Sequence, residues 1–189
     1  MTLMARNKLI TTIALMIILV EVLGFSSFTL VPTFAIDVLG VSAAGLGALL
    51  ASRSLGGVIG LAALGTTWQT KPGGPALLTA SAGFGLGLMI FAVSGAFAVS
   101  IIIMCATGVA AAAVDTHGQA LLQRSVDARE RGAAMGVWVF CIGLGPIGFV
   151  AIGALAVLIG APAAQFACGS ILLVATLLMA IRSPLARLR

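Results

Sequence analysis

Apolar residues dominate six windows of this chain, and short polar turns separate one window from the next. Each window has about 20 residues or more, which is the length that an α-helix needs to cross the hydrocarbon core of a bilayer. The turns are built from glycine, proline and charged residues, which commonly end helices. The pattern therefore predicts six membrane-spanning helices, at residues 9–35, 43–66, 75–94, 97–122, 133–158 and 163–181.

The composition excludes a soluble protein and argues against a β-barrel. Of the 189 residues, 61% are hydrophobic and 8% are charged, and the mean hydropathy is +1.23. Soluble chains carry about 25% charged residues. The 24 glycines and the lack of tyrosine suit closely packed transmembrane helices, whereas barrel strands show alternating hydrophobicity and aromatic girdles. The predicted fold class is all-α, a polytopic membrane protein with one six-helix domain over residues 1–189.

The positive charges predict how the helices are oriented. The net charge is +5, but the basic residues lie at the ends of the windows, which is typical of membrane orientation signals and gives no reason to expect a nucleic-acid partner. If the N-terminus is cytoplasmic, nine of the ten lysines and arginines lie on that side, and the outer turns carry only Asp37. We therefore expect both termini to be cytoplasmic. The nine residues are Arg6, Lys8, Lys71, Arg124, Arg129, Arg131, Arg182, Arg187 and Arg189.

A few polar residues lie inside the apolar windows and mark candidate functional positions. They are Glu21 in the first window, Arg53 in the second, and Asp115 with Gln119 in the fourth. A charge near the bilayer centre costs at least roughly 2.5–3.5 kcal/mol on insertion scales. The first, second and fourth helices are therefore expected to face a protein interior or an aqueous cavity, while the third and sixth can face lipid.

Depth along the helix axis suggests that Glu21 and Arg53 form a pair. At 1.5 Å per residue, Glu21 lies roughly 18 Å from the inner end of its helix and Arg53 roughly 15 Å from the outer end of the next. Two interpretations of such a pair stay open: a fixed structural ion pair, or a gating or proton-carrying pair. Asp115 and Gln119 share one helix face and are expected on the cavity side, with His117 on the opposite face.

Small residues and one proline predict how the helices pack. Glycines four residues apart share a helix face and allow close approach of two backbones; such pairs occur at Gly56/Gly60, Gly83/Gly87 and Gly132/Gly136. Pro146 is expected to kink the fifth helix near the middle of the membrane. The three cysteines lie within apolar windows and lack metal-binding spacing, so neither a metal site nor a cofactor is expected.

Three stretches of the chain resemble the C-terminal six helices of a major facilitator superfamily transporter, in the subgroup that includes enterobactin-type siderophore and drug exporters. They are residues 38–47, residues 122–136 with Arg131–Gly132 as their shared core, and residues 143–153. The sequence departs from the family pattern at Asp127, where a proline is usual, and at Gln69 and Thr70, which replace the aspartate and arginine of a gating loop.

The resemblance implies a function and a set of site residues. The fold would be one half-bundle of two three-helix repeats, in a bacterial inner membrane. It would carry out proton-coupled efflux of small amphiphilic molecules, with no enzyme chemistry, and would pair with a second copy or a separately encoded N-terminal half. The implied cavity residues are Phe25, Phe28, Gln119 and Trp138. The implied cytoplasmic gating residues are Arg124, Asp127, Arg129, Glu130, Arg131 and Gly132.

Two other functions compete with this one. The chain could be a truncated or accessory membrane subunit that does not transport by itself. A more remote alternative is an intramembrane protease, which needs a nucleophilic serine in a Gly-x-Ser-Gly setting together with a histidine at similar depth. The nearest approach is Gly24 to Ser27, which lacks the final glycine.

Overall fold

The structure is a computed structural model that describes residues 7–65, 73–183 and 185. Its described part contains six helices that are long and apolar enough to cross a membrane, which confirms the predicted fold class. The helices are α1 (Lys8–Val38), α2 (Ala43–Ala63), α3 (Gly73–Ala92), α4 (Phe97–Arg124), α5 (Ala128–Ile159) and α6 (Ala161–Arg182). Several predicted positions lie outside the described residues: Arg6, Gln69, Thr70, Lys71, Arg187 and Arg189.

Helix α1 begins regularly and becomes irregular in mid-span. The side chain of Asn7 accepts a hydrogen bond from the Leu9 amide at 2.9 Å, which caps an α-helical stretch over Lys8–Leu19. A π-helical turn over Val20–Gly24 and a 3-10 stretch over Phe25–Leu30 follow. Such departures from α-geometry inside a helix are frequent at functional sites.

Helix α5 is also interrupted. Its first half, α5a, covers Arg131–Ile142, and its second half, α5b, covers Gly145–Ile159. Pro146 lies in the first turn of α5b, where its missing N–H leaves no helical hydrogen bond unmade. The expected kink and the observed break thus fall in the same part of the helix.

Helix α2 packs most extensively against α4. The two backbones touch at glycines: a Cβ on Gly56 would collide with the carbonyl of Cys105, and one on Gly108 would collide with the carbonyl of Arg53. Helix α2 therefore packs mainly on a helix that is not next to it in the chain. A short connection makes two helices antiparallel, but glycine surfaces decide which helices come into contact.

Only some of the predicted glycine pairs make close contacts. Gly56 and Gly60 both face α4, but a Cβ on Gly83, Gly132 or Gly136 would meet nothing within 4 Å. The close contact between α3 and α6 uses two other glycines instead, Gly85 and Gly169. Glycine spacing identifies a helix face that another helix can approach closely. It does not show whether another helix packs against that face.

The packing follows the pattern of two inverted three-helix repeats, in which α1, α2 and α3 correspond to α4, α5 and α6. Helix α2 packs on α4, and the equivalent pair, α5 on α1, is also in contact. Helices α3 and α6 correspond to each other and meet reciprocally. A Cβ on Gly85 would lie 2.9 Å from the Gly169 oxygen, and one on Gly169 would lie 2.7 Å from the Gly85 oxygen. This arrangement agrees with the predicted half-bundle.

The helices differ in how deeply they are buried. Of the most apolar 18 residues of each helix, 56% are buried in α3, but only 17% in α2 and in α5. The expectation that α3 can face lipid therefore needs correction, because α3 packs between α4 and α6 and places Phe84, Leu88 and Phe91 in the core. Helix α6 does present a broad apolar surface, as expected, with Ile181 81% exposed.

Candidate functional site at the crossing of two interrupted helices

The irregular segment of α1 touches the break in α5. The hydroxyl of Ser26, which is fully buried, lies 3.0 Å from the Gly145 carbonyl oxygen and 2.9 Å from that of Glu21, so it can donate to either. A Cβ on Gly145 would lie 2.8 Å from Glu21 Oε1, and one on Gly148 would lie 2.6 Å from the carbonyl oxygen of Val22. Glycines at the start of α5b thus allow the backbones of α1 and α5b to approach each other closely.

This crossing places polar backbone inside an apolar helix bundle. Interrupted helices leave carbonyl groups without their usual amide donors, and the bilayer core offers no water to replace them. Ser26 adds a hydrogen bond between the two helices by donating to the Gly145 carbonyl. Discontinuous helices that meet at mid-membrane depth are characteristic of substrate and ion sites in transporters.

Arg53 of α2 reaches the same region and lies over aromatic rings. Its Cζ atom is 3.9 Å from the centre of the Phe28 ring and 5.8 Å from that of Phe25. Phe84 of α3 supports both rings, with centroid distances of 5.3 Å to Phe25 and 5.9 Å to Phe28. The Nε atom of Arg53 is buried and has no hydrogen-bond acceptor among the described residues.

Asp115 of α4 links the other two embedded charges. Its carboxylate interacts electrostatically with Arg53, and it also interacts with Glu21. Asp115 thus provides a charge that acts on Arg53, and the pairing of Glu21 with Arg53 stays a prediction. Depth along a helix axis does not fix which helix lies beside α2, and close glycine contacts place α4 there.

A comparison with protein families identifies the fold. The family model described as Major Facilitator Superfamily matches residues 13–187. The chain belongs to the major facilitator superfamily. Its members are membrane transporters rather than enzymes, and six apolar helices agree with a multi-pass member. A comparison with curated proteins found no match to this chain.

Gln119 and Trp138 are the remaining predicted cavity residues of this superfamily member, and their surroundings differ. Gln119 lies one turn after Asp115 on α4, and both side chains are half-buried. Trp138 of α5a is half-buried against the core, and its indole nitrogen has no acceptor among the described residues. His117 is buried, on a face of α4 different from that of Asp115.

The charged hairpin between α4 and α5 lies at the surface. Arg124 ends α4 in its last turn, where a cation is favourably placed near the negative end of the helix dipole. A short 3-10 turn over Ala128–Glu130 leads into α5a. Five of the predicted gating residues are exposed and Glu130 is half-buried; the exposed ones are Arg124, Asp127, Arg129, Arg131 and Gly132.

Some residues of the site were not identified from the sequence. Phe84 lies in α3, whose sequence has no ionisable residue to mark it as part of a site. Its ring nevertheless packs against both predicted aromatic residues, Phe25 and Phe28. Ser26 was considered only as a protease nucleophile. Gly145 and Gly148 lie within residues 143–153, which carry part of the family resemblance. Nothing in that stretch indicates that these two glycines contact α1.

The serines of α1 do not resemble a catalytic site. Ser26 and Ser27 are fully buried, and each donates to a backbone carbonyl, Ser27 to that of Gly24 at 2.7 Å. Among the described residues, neither hydroxyl is hydrogen-bonded to a side-chain base, which a nucleophile requires. Within the same residues, no cluster of three histidine, cysteine or acidic side chains could hold a metal ion.

Proposed function

We propose that this chain forms one six-helix half of a proton-coupled exporter of small amphiphilic molecules in a bacterial inner membrane, with both ends on the cytoplasmic side. A second half, either another copy or a separately encoded N-terminal half, completes the transport path. The family membership supports membrane transport in general. The proton and the substrate class are inferred from the side chains of the site.

The observation that carries this proposal is the charge of the site. The charged side chains described within the apolar helices are the carboxylates of Glu21 and Asp115 and the guanidinium of Arg53, which together sum to −1 when all are ionised. A net charge within a bilayer is costly, and one bound proton restores neutrality. The charge of Arg53 acts on Asp115, whereas the charge that acts on Glu21 is the like charge of Asp115. We therefore assign the coupling proton to Glu21 in the first place.

The walls of the site suit an amphiphilic substrate. Phe25 and Phe28 are half-buried, so part of each ring faces the open side of the bundle. Gln119 and the indole N–H of Trp138, which has no acceptor among the described residues, add isolated hydrogen-bonding groups. Mostly apolar walls with a few polar groups are typical of small-molecule sites.

The charge distribution supports cytoplasmic ends. Because six helices cross the membrane, the start of α1, the hairpin between α4 and α5, and the end of α6 lie on one side. The described basic residues outside the bundle are all on this side, and Asp37 is near the opposite end of α1. This distribution agrees with the positive-inside rule. The basic residues are Lys8, Arg124, Arg129, Arg131 and Arg182.

The open side of the bundle supports a second half. Helices α2 and α5 are the least buried, and large apolar side chains cover their outer faces, among them Val58 at 64% exposed and Val150 at 75%. These helices flank the site. In transporters built from repeats, the substrate site lies between two such bundles that rock against each other.

Transport in proteoliposomes tests the proposal. The chain, alone or with a co-expressed partner half, is reconstituted and efflux of a fluorescent amphiphile is followed after a proton gradient is imposed. Glu21→Gln should abolish proton-driven efflux and Asp115→Asn should reduce it strongly. Asp37→Asn, which changes an exposed carboxylate far from the site, is the matched control and should have no effect.

Two results would contradict the proposal. Unchanged efflux in both Glu21→Gln and Asp115→Asn would remove these carboxylates from coupling. Native mass spectrometry that shows a stable complex without any transport would favour the accessory-subunit alternative.

A further inference from the structure

We propose that the side-chain amide of Gln165 holds a water molecule inside the bundle, between α6 and α3. Gln165 lies in the second turn of α6, roughly 6 Å along the helix axis from its first residue. That end of α6 is on the side of the membrane opposite the charged hairpin. Such a water site is independent of the proposed transport function, since it involves none of the embedded charged residues.

Gln165 has polar atoms that no described residue satisfies. Its side chain is 0% exposed, and both Oε1 and Nε2 are buried without a hydrogen-bond partner among the described residues. Buried polar groups of folded proteins nearly always have a protein or water partner. Two other buried side chains show the usual solution, a bond to the carbonyl one turn earlier. Ser81 donates to Leu77 at 2.8 Å, and Thr176 donates to Leu172 at the same distance.

A close contact one turn later shows which helix Gln165 faces. Gly169 is on the same face of α6 and packs directly on α3, since a Cβ on it would lie 3.0 Å from the Met89 amide nitrogen. The two helices run in opposite directions, so Gln165 faces α3 about one turn beyond Met89, near Phe91 and Ala92. Their side chains are apolar and belong to a buried cluster. They offer the amide neither a donor nor an acceptor.

Small residues beside Gln165 leave space for a water molecule. Its neighbours one turn to either side on the same face are Ala161, Ala164, Cys168 and Gly169. A water needs little more than the volume of one probe sphere, provided that polar partners are present. The amide supplies two partners by itself, because one water can accept from Nε2 and donate to Oε1.

The inverted repeat shows that this amide is particular to one half of the bundle. A shift of 84 residues, the separation of Gly85 and Gly169, carries every buried residue of α6 onto a buried residue of α3. Gln165 then corresponds to Ser81, whose hydroxyl is satisfied within α3. The equivalent position therefore needs no water and provides a matched control. The pairs are Leu77/Ala161, Ala80/Ala164, Ser81/Gln165, Phe84/Cys168, Gly85/Gly169, Leu88/Leu172 and Ala92/Thr176.

Size and charge favour water over other ligands. The side chain of Gln165 has no exposed surface, so a larger molecule cannot reach the amide. Helix α3 contains no acidic or basic residue, and α6 contains none before Arg182. An ion would therefore lack a counter-charge from either helix, whereas water is neutral and matches both a donor and an acceptor.

Radiolytic footprinting of the full chain in lipid nanodiscs tests this site. X-rays convert bound water to hydroxyl radicals in place, and these oxidise the nearest side chains even where bulk solvent does not reach. Cys168, one turn after Gln165 and 2% exposed, is the reporter, and Cys141 of α5a, 0% exposed, is the control cysteine. Peptide mass spectrometry should show severalfold faster oxidation of Cys168 than of Cys141. Gln165→Leu should make the two rates equal, and Ser81→Ala should leave the difference intact.

Three results would overturn the proposal. They are equal oxidation of Cys168 and Cys141 in the unchanged protein, fast oxidation of Cys168 that persists in Gln165→Leu, and a marked loss of stability in Gln165→Leu. The last would indicate a direct protein partner left unsatisfied, whereas loss of the amide together with its water should leave stability unchanged or raised. If Gln165→Leu does not yield folded protein, the unbranched Gln165→Met replaces it, and the two cysteines of the unchanged protein remain decisive.

Discussion

At the scale of single residues, the site depends on a few polar groups that a lipid environment makes costly. Arg53 illustrates this, because its guanidinium lies over the Phe28 ring and also interacts electrostatically with Asp115 on a different helix. Ser26 illustrates it for the backbone, since its hydroxyl reaches the Gly145 carbonyl where α5 is interrupted. Each such contact replaces a partner that water would supply in a soluble protein.

Ser26→Ala should therefore lower the free energy of unfolding by about 0.5–1.5 kcal/mol, because the Gly145 carbonyl loses its donor from α1. Ser170→Ala is the control: the hydroxyl of Ser170 donates to the Phe166 carbonyl at 2.8 Å within α6 and is exposed. Unfolding by denaturing detergent, followed by circular dichroism, measures both. Equal stability of the two variants would show that the crossing hydrogen bond contributes nothing.

At the scale of helices, the bundle combines one regular contact with one irregular contact. Helices α2 and α4 are continuous α-helices and touch through Gly56 and Gly108. Helices α1 and α5, in contrast, are interrupted where they meet. The two pairs are equivalent in the inverted repeat. We infer that the regular pair holds the bundle together and that the irregular pair provides the backbone freedom that rocking requires.

The regular contact should be sensitive to a single methyl group. Gly56→Ala places a Cβ against the Cys105 carbonyl, and we expect a loss of about 2 kcal/mol or more in the free energy of unfolding, since backbone cannot move aside easily. Gly47→Ala, in the same helix, meets nothing within 4 Å and should be neutral or slightly stabilising. Detergent unfolding of both variants checks this, and a similar response would argue against close packing of α2 and α4.

The irregular contact should open more readily. Backbone amides of residues 20–30 in α1 are expected to exchange hydrogen for deuterium faster than those of residues 51–61 in α2, although α1 is more buried. Hydrogen-exchange mass spectrometry in nanodiscs makes the comparison within one sample. Slower exchange in α1 would show that the interrupted segment is rigid.

At the scale of the whole molecule, topology fixes which ends share a membrane face. Six crossings place the hairpin around Arg129 opposite the turn that contains Ser42. The exposed sides of α2 and α5 are where the proposed second bundle would fit, whereas α3 and α6 pack against each other.

Cysteine labelling tests this topology. In a background without Cys105, Cys141 and Cys168, Arg129→Cys and Ser42→Cys should react with a membrane-impermeant maleimide from opposite sides, with Arg129→Cys reactive from the cytoplasm. Gly95→Cys, in the second outer turn, should behave like Ser42→Cys. Labelling of Arg129→Cys and Ser42→Cys from the same side would rule out the six-crossing arrangement.

The sequence by itself determined the six helices and the identity of the embedded ionisable residues, and it predicts the sides of the membrane on which the charges lie. It could do so because hydropathy, charge and depth are properties of each residue along its own helix axis. Glu21, Arg53 and Asp115 stand out for this reason, as does the break near Pro146.

Only the tertiary structure decided which side chains meet. Arg53 lies over Phe28 and acts on Asp115 because α2 packs on α4, and Phe84 completes the aromatic wall although nothing in its own helix marked it. The rotation of a helix and the choice of its neighbour depend on surfaces contributed by other parts of the chain. Periodicity within a single helix does not contain that information.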